Sequence, residues 1–214
     1  MPHLSVTGYG TTVTMETLLG IAVGIGLSAA CGFRVFVPLL ALNLASLSGL
    51  LNLSPEFAWV GSYYSSVAFG AATVIEVLGY YIPWLDHVLD MVATPAAVIA
   101  GVIATASVVT DMDPFLKWTL ALIAGGGISG LVQGATVALR AHSSVATGGI
   151  GNSLVSTLEL AGSVLTVLLA LLAPVLSLAL IAVLCFFVIR KAGHVVFGRG
   201  SSRSGALHRG PGGS

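Results

Sequence analysis

Charged side chains are scarce in this chain of 214 residues, since Asp, Glu, Lys and Arg together make up only 7% of it. A soluble domain has about 25% charged residues, which keep its surface in contact with water. Hydrophobic residues make up 56% of the chain, and the mean hydropathy is +1.02. Lipid must therefore cover most of the folded exterior, and we predict an all-α integral membrane protein.

Basic residues are equally few, because eight Lys and Arg are balanced by eight Asp and Glu. A nucleic-acid partner requires a basic patch, so this composition excludes one. Cys31 and Cys185 are the two cysteines, and both lie inside apolar stretches, which excludes a disulfide framework. No spacing of Ser, His and acidic residues indicates a catalytic nucleophile, and no motif indicates a cofactor. We therefore expect a protein that is not an enzyme.

Apolar runs long enough to cross a bilayer recur along the chain. A helix needs about 20 residues to cross a hydrocarbon core of about 30 Å. The runs are continuous and do not alternate in polarity, which excludes the strands of a membrane barrel. On this basis six spans are predicted, at Thr17–Ser46, Tyr64–Ile82, Met91–Thr110, Phe115–Leu139, Ser153–Leu172 and Val175–Ile189.

The first of these spans is too long for one straight crossing. It contains Gly32 and Pro38. Because proline lacks an N–H donor and clashes with the preceding helical turn, we expect a tilt, a kink or a break in this region.

The spans form one transmembrane domain between two polar ends. The predicted domains are a polar segment at 1–15, a membrane domain at 16–191 and a disordered basic tail at 192–214. With an even number of spans both termini share one side, together with Arg140, whereas the opposite side has only Lys117. Lys and Arg concentrate on the cytoplasmic side, so we predict a plasma-membrane protein with both termini in the cytoplasm.

Two short blocks of sequence recur in the second half of the chain. Residues 26–28 parallel 127–129, and residues 73–79 parallel 156–162 with a glutamate in register. Two repeats of three spans, at about 16–110 and 115–190, would insert in opposite orientations, as in many secondary transporters. Chance similarity between apolar helices is the alternative.

Small residues recur every four positions from Gly20 to Gly32 and from Gly126 to Gly134. Such spacing lets helix backbones approach closely in lipid, either within one chain or in a homo-oligomer. The alternative is that these helices unwind inside the membrane and expose carbonyl groups, as discontinuous transporter helices do.

Two glutamates lie near the middle of predicted spans. An ionisable side chain there costs at least about 2.5 kcal/mol, so Glu76 and Glu159 each need a partner or a hydrated cavity. Arg34 is the basic residue well inside a span and is their natural counter-ion. These residues predict a site that binds a small ion or carries protons, and a structural ion pair is the alternative.

Other polar residues follow the second span. Asp86 and Asp90 share one face of a helix, and with His87 they are candidate ligands of a divalent metal ion, although a solvated connector is the commoner meaning of such residues. Arg140 and Asn152 flank a polar, glycine-rich stretch that we expect near the cytoplasmic entrance. Asn152 or Ser153 is the predicted cap of the next helix.

Three blocks of this sequence, in this order, resemble the bacterial membrane family called domain of unknown function 4126. They are Gly32–Leu39, Glu76 with Ile82–Asp86 and Asp90, and Arg140–Ser143 with Thr147–Gly149, Asn152–Ser153 and Glu159. The resemblance covers about residues 16–190 and implies a multi-pass inner-membrane protein without an assigned biochemical role. The chain departs from the family pattern at Tyr80 and Tyr81, where charged residues are frequent, so the resemblance implies no charged ion path at that point.

Two main classes of function remain open, and an intramembrane enzyme that acts on lipid headgroups through His87 or His142 is a third, less favoured one. The first is a transporter or channel for a small ion or solute, with Glu76 and Glu159 central, Arg34 as charge partner, and Asp86, Asp90, Arg140 and Asn152 near the entrance. The second is a non-transporting scaffold or lipid-interacting protein, in which the same charges lock helices together.

Overall fold

The computed structural model describes residues 15–110, 112–148 and 150–197, without the side chains of residues 83, 84, 86, 87 and 192–197. The described chain is all-helical, as predicted. Its α-helices are α1 (Met15–Cys31), α2 (Phe36–Leu47), α3 (Tyr63–Gly79), α4 (Pro83–Val108), α5 (Pro114–Leu120), α6 (Gly127–Thr147), α7 (Asn152–Leu172) and α8 (Pro174–Phe197). A 3₁₀ helix at Pro55–Gly61 precedes α3, and a π-helical segment at Ala121–Gly126 joins α5 to α6.

Four helical stretches are long and apolar enough to cross a membrane, judged by length and composition. They are Val88–Val108, Pro114–Thr147, Asn152–Leu172 and Pro174–Lys191. The remaining helices α1, α2 and α3 have 17, 12 and 17 residues. Each of these three helices has fewer than the 18 residues required of a candidate span, so the expected number of six spans is not confirmed. Residues 1–14 of the predicted polar segment and residues 198–214 of the predicted tail lie outside the described residues, whereas residues 192–197 continue α8.

The first predicted span is broken, so its description as one span over Thr17–Ser46 is wrong and the expected break is confirmed. Helix α1 ends at Cys31, and α2 begins at Phe36. Between them the backbone makes tight turns, with the Gly32 N–H donating to the Ala29 carbonyl over 3.1 Å. Pro38 lies in the first turn of α2, where a missing N–H costs no helical hydrogen bond.

Helix α2 runs antiparallel to α3. The backbone at Val35 and Phe36, where α2 begins, contacts Glu76 in the last turn of α3. Further along α2, the Asn43 side-chain amide donates to the Val60 and Ser62 carbonyls, just before α3 begins, over 2.6 and 2.9 Å. The chain therefore returns along α2 towards the end of the bundle where α3 starts.

Helix α1 runs antiparallel to α4, because Gly20 lies against Val108 and Gly24 lies against Thr105. Helix α4 follows α3 in a hairpin and runs antiparallel to it, so α1 and α3 run in the same direction. Because α2 is antiparallel to α3, α1 and α2 run in opposite directions. They form a helical hairpin with its turn at residues 32–35.

The hairpin has a consequence for the predicted repeat. Helices α1 and α6 run in the same direction, because Ser28 contacts Gly125 and Gly32 contacts Val132 further along α6. Helices α3 and α7, which carry the two glutamates, run in opposite directions. One two-fold axis cannot relate both pairs of matching blocks, so an inverted repeat is not confirmed.

Small residues pack α1 against its neighbours. The Ser28 hydroxyl donates to the Gly125 carbonyl, and the Thr105 hydroxyl donates to the Gly24 carbonyl over 3.2 Å. A Cβ atom at Gly24 would lie 3.0 Å from the Thr105 Cα atom. The predicted close packing is thus confirmed here, and the π-helical segment supplies a backbone carbonyl outside the regular helical pattern.

Candidate functional site: a charged cluster between the helices

Glu76 caps the N-terminus of α2. Its side chain is buried in the last turn of α3, and its carboxylate accepts the Val35 N–H at 2.7 Å and the Phe36 N–H at 3.0 Å. The first N–H groups of a helix lack partners within the helix and attract negative charge. The predicted buried carboxylate is therefore satisfied by the backbone of the hairpin turn.

Glu159 is held by two arginines. Its Oε1 atom accepts from Arg140 Nε at 2.9 Å, and its Oε2 atom is paired with Arg140 Nη2, so the contact is bidentate. Arg34 Nη2 lies 3.7 Å from the same Oε2 atom, in agreement with the predicted role of Arg34 as counter-ion. Arg140 Nη1 also contacts Asp90 Oδ1 at 3.0 Å. The sequence identified these residues, but the Arg140–Glu159 pairing depends on the packing of α6 against α7.

Arg34 is almost completely buried, with a relative exposure of 1%. Its Nη2 atom donates to the Ser156 carbonyl at 2.9 Å and to the Ser156 hydroxyl at 2.5 Å. Its Nε and Nη1 atoms have no hydrogen-bond partner among the described residues. This guanidinium group therefore retains donors that a small ligand or a water molecule could use.

Tyr80 joins the two arginines and was not predicted as a site residue. The guanidinium carbons of Arg34 and Arg140 lie 4.0 and 3.9 Å from the centroid of its buried ring. A cation this close to an aromatic face is attracted by the ring quadrupole. In the sequence Tyr80 follows Glu76 by four residues, a spacing too common to indicate a site, and it departs from the family pattern in a way that pointed away from a charged path.

Two cavities adjoin this cluster. The first, of about 390 Å³, is lined by Asp90, Val137, Arg140, Ala141, Ser144, Val145 and Asn152. The second, of about 360 Å³, lies between α2, α3 and α4 and is lined by Glu76, Tyr80 and apolar side chains. Glu76 lines the second of these two cavities, and Glu159 lines neither of them.

The cluster lies towards one end of the bundle. Glu76 is in the last turn of α3, and Glu159 is in the first half of α7. The connections from α3 to α4 and from α6 to α7 lie at this same end. Glu76 therefore lies at the end of α3 and not in the middle of a span, whereas Glu159 is the eighth of the 21 residues of α7.

Asn152 does not cap α7, so that prediction is wrong. The cap position is Gly151, and the Asn152 Nδ2 atom donates instead to the Ser144 hydroxyl at 2.8 Å. Helix α6 extends to Thr147, which shortens the expected polar loop. Asn152 nevertheless lines the first cavity together with Arg140.

The metal hypothesis falls partly outside the described side chains. Asp86 and His87 have described backbone within α4 but no described side chains, whereas Asp90 contacts Arg140. In the part of the chain whose side chains are described, no three His, Cys, Asp or Glu residues are grouped as metal ligands.

A second ion pair lies at the opposite end of the bundle and was not predicted. Lys117 is buried, and its Nζ atom lies 2.9 Å from Ser54 Oγ and 2.9 Å from Glu56 Oε2. Hydrogen bonds from Ser54 and Lys117 lower the pKa of the exposed Glu56 carboxyl to about 2. This contact ties the segment after the hairpin to the start of α5.

Long apolar helices with charged side chains paired between them are typical of a helical membrane protein. The sequence model of the family described as "Domain of unknown function (DUF4126)" matches residues 21–193, and the chain belongs to this family. The resemblance inferred from the sequence blocks is thereby confirmed. No curated protein and no solved structure matches the chain.

Proposed function

We propose that this chain is a multi-pass protein of the plasma membrane that transports or conducts a small ion or solute past the charged cluster. One observation carries the proposal. Arg140 lines the first cavity and Tyr80 lines the second. The two side chains are stacked, with the guanidinium carbon of Arg140 3.9 Å from the centroid of the Tyr80 ring. A pair of stacked side chains thus stands between two spaces that a solute could occupy in turn.

Charged side chains inside a lipid bilayer carry a high energetic cost. Ionisable residues within spans are expensive, and in membrane proteins they mark substrate or ion pathways. Here Arg34, Arg140, Glu76, Asp90 and Glu159 meet at one level of the bundle. Arg34 retains two nitrogen atoms without a hydrogen-bond partner in the described chain, which a cluster serving packing alone would not require.

The helix directions support a revised membrane orientation. The end that contains the cluster also receives Arg190 and Lys191 at the end of α8, whereas Lys117 lies at the other end. The excess of Lys and Arg favours a cytoplasmic location for the cluster end. Because the α1–α2 hairpin adds a reversal, we propose that Met15 lies on the opposite side from the C-terminal end. This replaces the expectation that both termini share the cytoplasmic side.

The test is ion- or solute-driven flux in proteoliposomes that contain the purified chain. We expect flux with the wild type, and a large decrease with both Glu76→Gln and Glu159→Gln. Glu56→Gln is the matched control, because this carboxylate is 62% exposed and lies outside the cluster. Unchanged flux in both cluster variants would remove the proposed pathway.

A scaffold is the second function, and a specific observation favours it. Glu76 is paired with backbone N–H groups and Glu159 with two arginines, as they would be if they only locked helices together. In that case flux is absent from every variant, while Glu159→Gln still lowers the thermal stability in detergent. No catalytic step is part of either proposal; a lipid-turnover activity that depends on the exposed His142 would instead indicate an enzyme.

A further inference from the structure

The second cavity, which we call the α2–α4 cavity, combines apolar walls with one acidic group among the side chains that the structure describes. Its apolar lining residues are Val35, Phe36, Ala72, Ile75, Leu85, Leu89, Val92, Ala93 and Ala96. The other lining residues are Glu76 and Tyr80. A buried carboxylate in such surroundings is costly unless a partner offsets its loss of hydration.

The hydrogen-bond partners of Glu76 are backbone N–H groups and not a basic side chain. Each carboxylate oxygen accepts one backbone N–H, from Val35 or Phe36, at the positive end of α2. A carboxylate offers about four lone-pair sites, so each oxygen retains further accepting capacity. Among the described side chains Glu76 forms no ion pair, since Arg34 and Arg140 pair with Glu159.

The cavity opens on the outer surface of the helical bundle. Ile75 and Val92 both line it, and these side chains are 69% and 64% exposed on the outer surface of α3 and α4. On helices that face lipid, such exposure places the opening beside the hydrocarbon core. A ligand dissolved in the bilayer could enter without crossing the polar end of the bundle.

We propose that the α2–α4 cavity binds a hydrophobic monovalent cation of the phosphonium or quaternary ammonium type. The cationic centre lies near the free lone pairs of Glu76, and the apolar substituents contact the walls formed by α3 and α4. An anion of the same shape is repelled by Glu76, and a neutral molecule gains no charge pairing. The inference rests on the proposed transport function and names its substrate class.

The experiment compares two probes of nearly the same shape and opposite charge. Purified full-length protein in a non-ionic detergent is titrated with tetraphenylphosphonium and with tetraphenylborate, with protein-free micelles as the baseline. We expect tighter binding of the phosphonium by at least about tenfold, because a charge pair in a low-dielectric site is weakly screened. Equal binding of both probes, or binding of neither, would overturn the proposal.

Two variants assign the binding to this cavity. Glu76→Gln should reduce the preference for the cation about tenfold or more, whereas the control Glu56→Gln should leave it unchanged. Ala96→Leu fills the cavity without altering any charge and should weaken binding of the phosphonium. If Glu76→Gln does not fold, Ala96→Leu decides alone: full binding by this folded variant places the ligand elsewhere and refutes the inference.

Binding and flux separate this inference from the transport proposal. If the protein binds the phosphonium but no solute shows flux, the proposed ligand class is supported and the proposed transport function is refuted. If a small ion shows flux that depends on Glu159 but the phosphonium does not bind, the transport function is supported and this ligand class is refuted.

Discussion

Arg140 on α6 and Glu159 on α7 form a bidentate ion pair in which both side chains are about 5% exposed or less. In this geometry the planar guanidinium and carboxylate groups face each other, and two nitrogen atoms donate to two oxygen atoms. The pair therefore fixes the orientation of α6 relative to α7 at the level of the charged cluster.

Breaking this pair should destabilise the protein strongly. Removing one partner of a buried ion pair leaves the other charge without compensation and costs about 3–5 kcal/mol. We expect Glu159→Gln to lower the thermal unfolding temperature in detergent well below that of Glu56→Gln, which removes an exposed carboxylate. Equal unfolding temperatures for the two variants would show that the ion pair contributes little.

A larger residue at Gly24 should disrupt the packing of α1 on α4. A Cβ atom there would lie 3.0 Å from the Thr105 Cα atom, and backbone cannot rotate away as a side chain can. We expect Gly24→Val to lower stability by about 1–3 kcal/mol, the usual cost of overpacking. The matched control is Gly134→Ala, where a Cβ atom meets nothing within 4 Å. This substitution should be neutral or stabilising because alanine favours helix.

The Glu56 carboxyl should make stability depend on acidic pH. Its pKa falls from 4.5 to about 2 in the folded protein, because Ser54 and Lys117 hydrogen bond to its ionised form. A group with a lowered folded pKa contributes its stabilisation above the unfolded value and loses it as the pH falls towards the folded value. The difference in stability between wild type and Glu56→Gln should therefore shrink between about pH 4.5 and pH 2. A difference independent of pH in this range would contradict the assignment.

The aromatic ring of Tyr80, and not its hydroxyl, should be required between the arginines. A cation on an aromatic face contributes about 0.5–2 kcal/mol, depending on its exposure to water. Tyr80→Phe should retain wild-type stability and flux, whereas Tyr80→Leu should lower stability and alter flux. Similar behaviour of the phenylalanine and leucine variants would exclude ring stacking as the cause.

The hairpin should place the two described ends on opposite sides of the membrane. Glu16→Cys and Lys191→Cys, each in a Cys185→Ser background, should react with a membrane-impermeant thiol reagent from opposite sides of oriented vesicles. The remaining Cys31 has no exposed surface and should not react. Labelling of both positions from the same side would restore the expectation of an even number of crossings.

The polar residues of the site were largely visible in the sequence, since a charged side chain inside an apolar run is conspicuous. Arg34, Glu76 and Glu159 were found in this way, and Arg34 indeed lies beside Glu159. The partners of these side chains could not be read from the sequence. Glu76, for example, caps α2 only because the chain turns back after α1, and an apolar run does not indicate such a turn. Tyr80 and Lys117 carried no comparable signal, since aromatic and basic residues near span ends are common.

Composition by itself determined that this chain is apolar on its exterior, since so few charges cannot cover a surface in water. The continuous apolar runs determined that it is helical. The sequence also determined that the few internal charges need partners. Only the tertiary structure decided which partners they have and how many times the chain reverses. The length of an apolar run does not indicate the direction in which a helix crosses the bundle. The α1–α2 hairpin and the contacts at its turn are therefore set by helix packing.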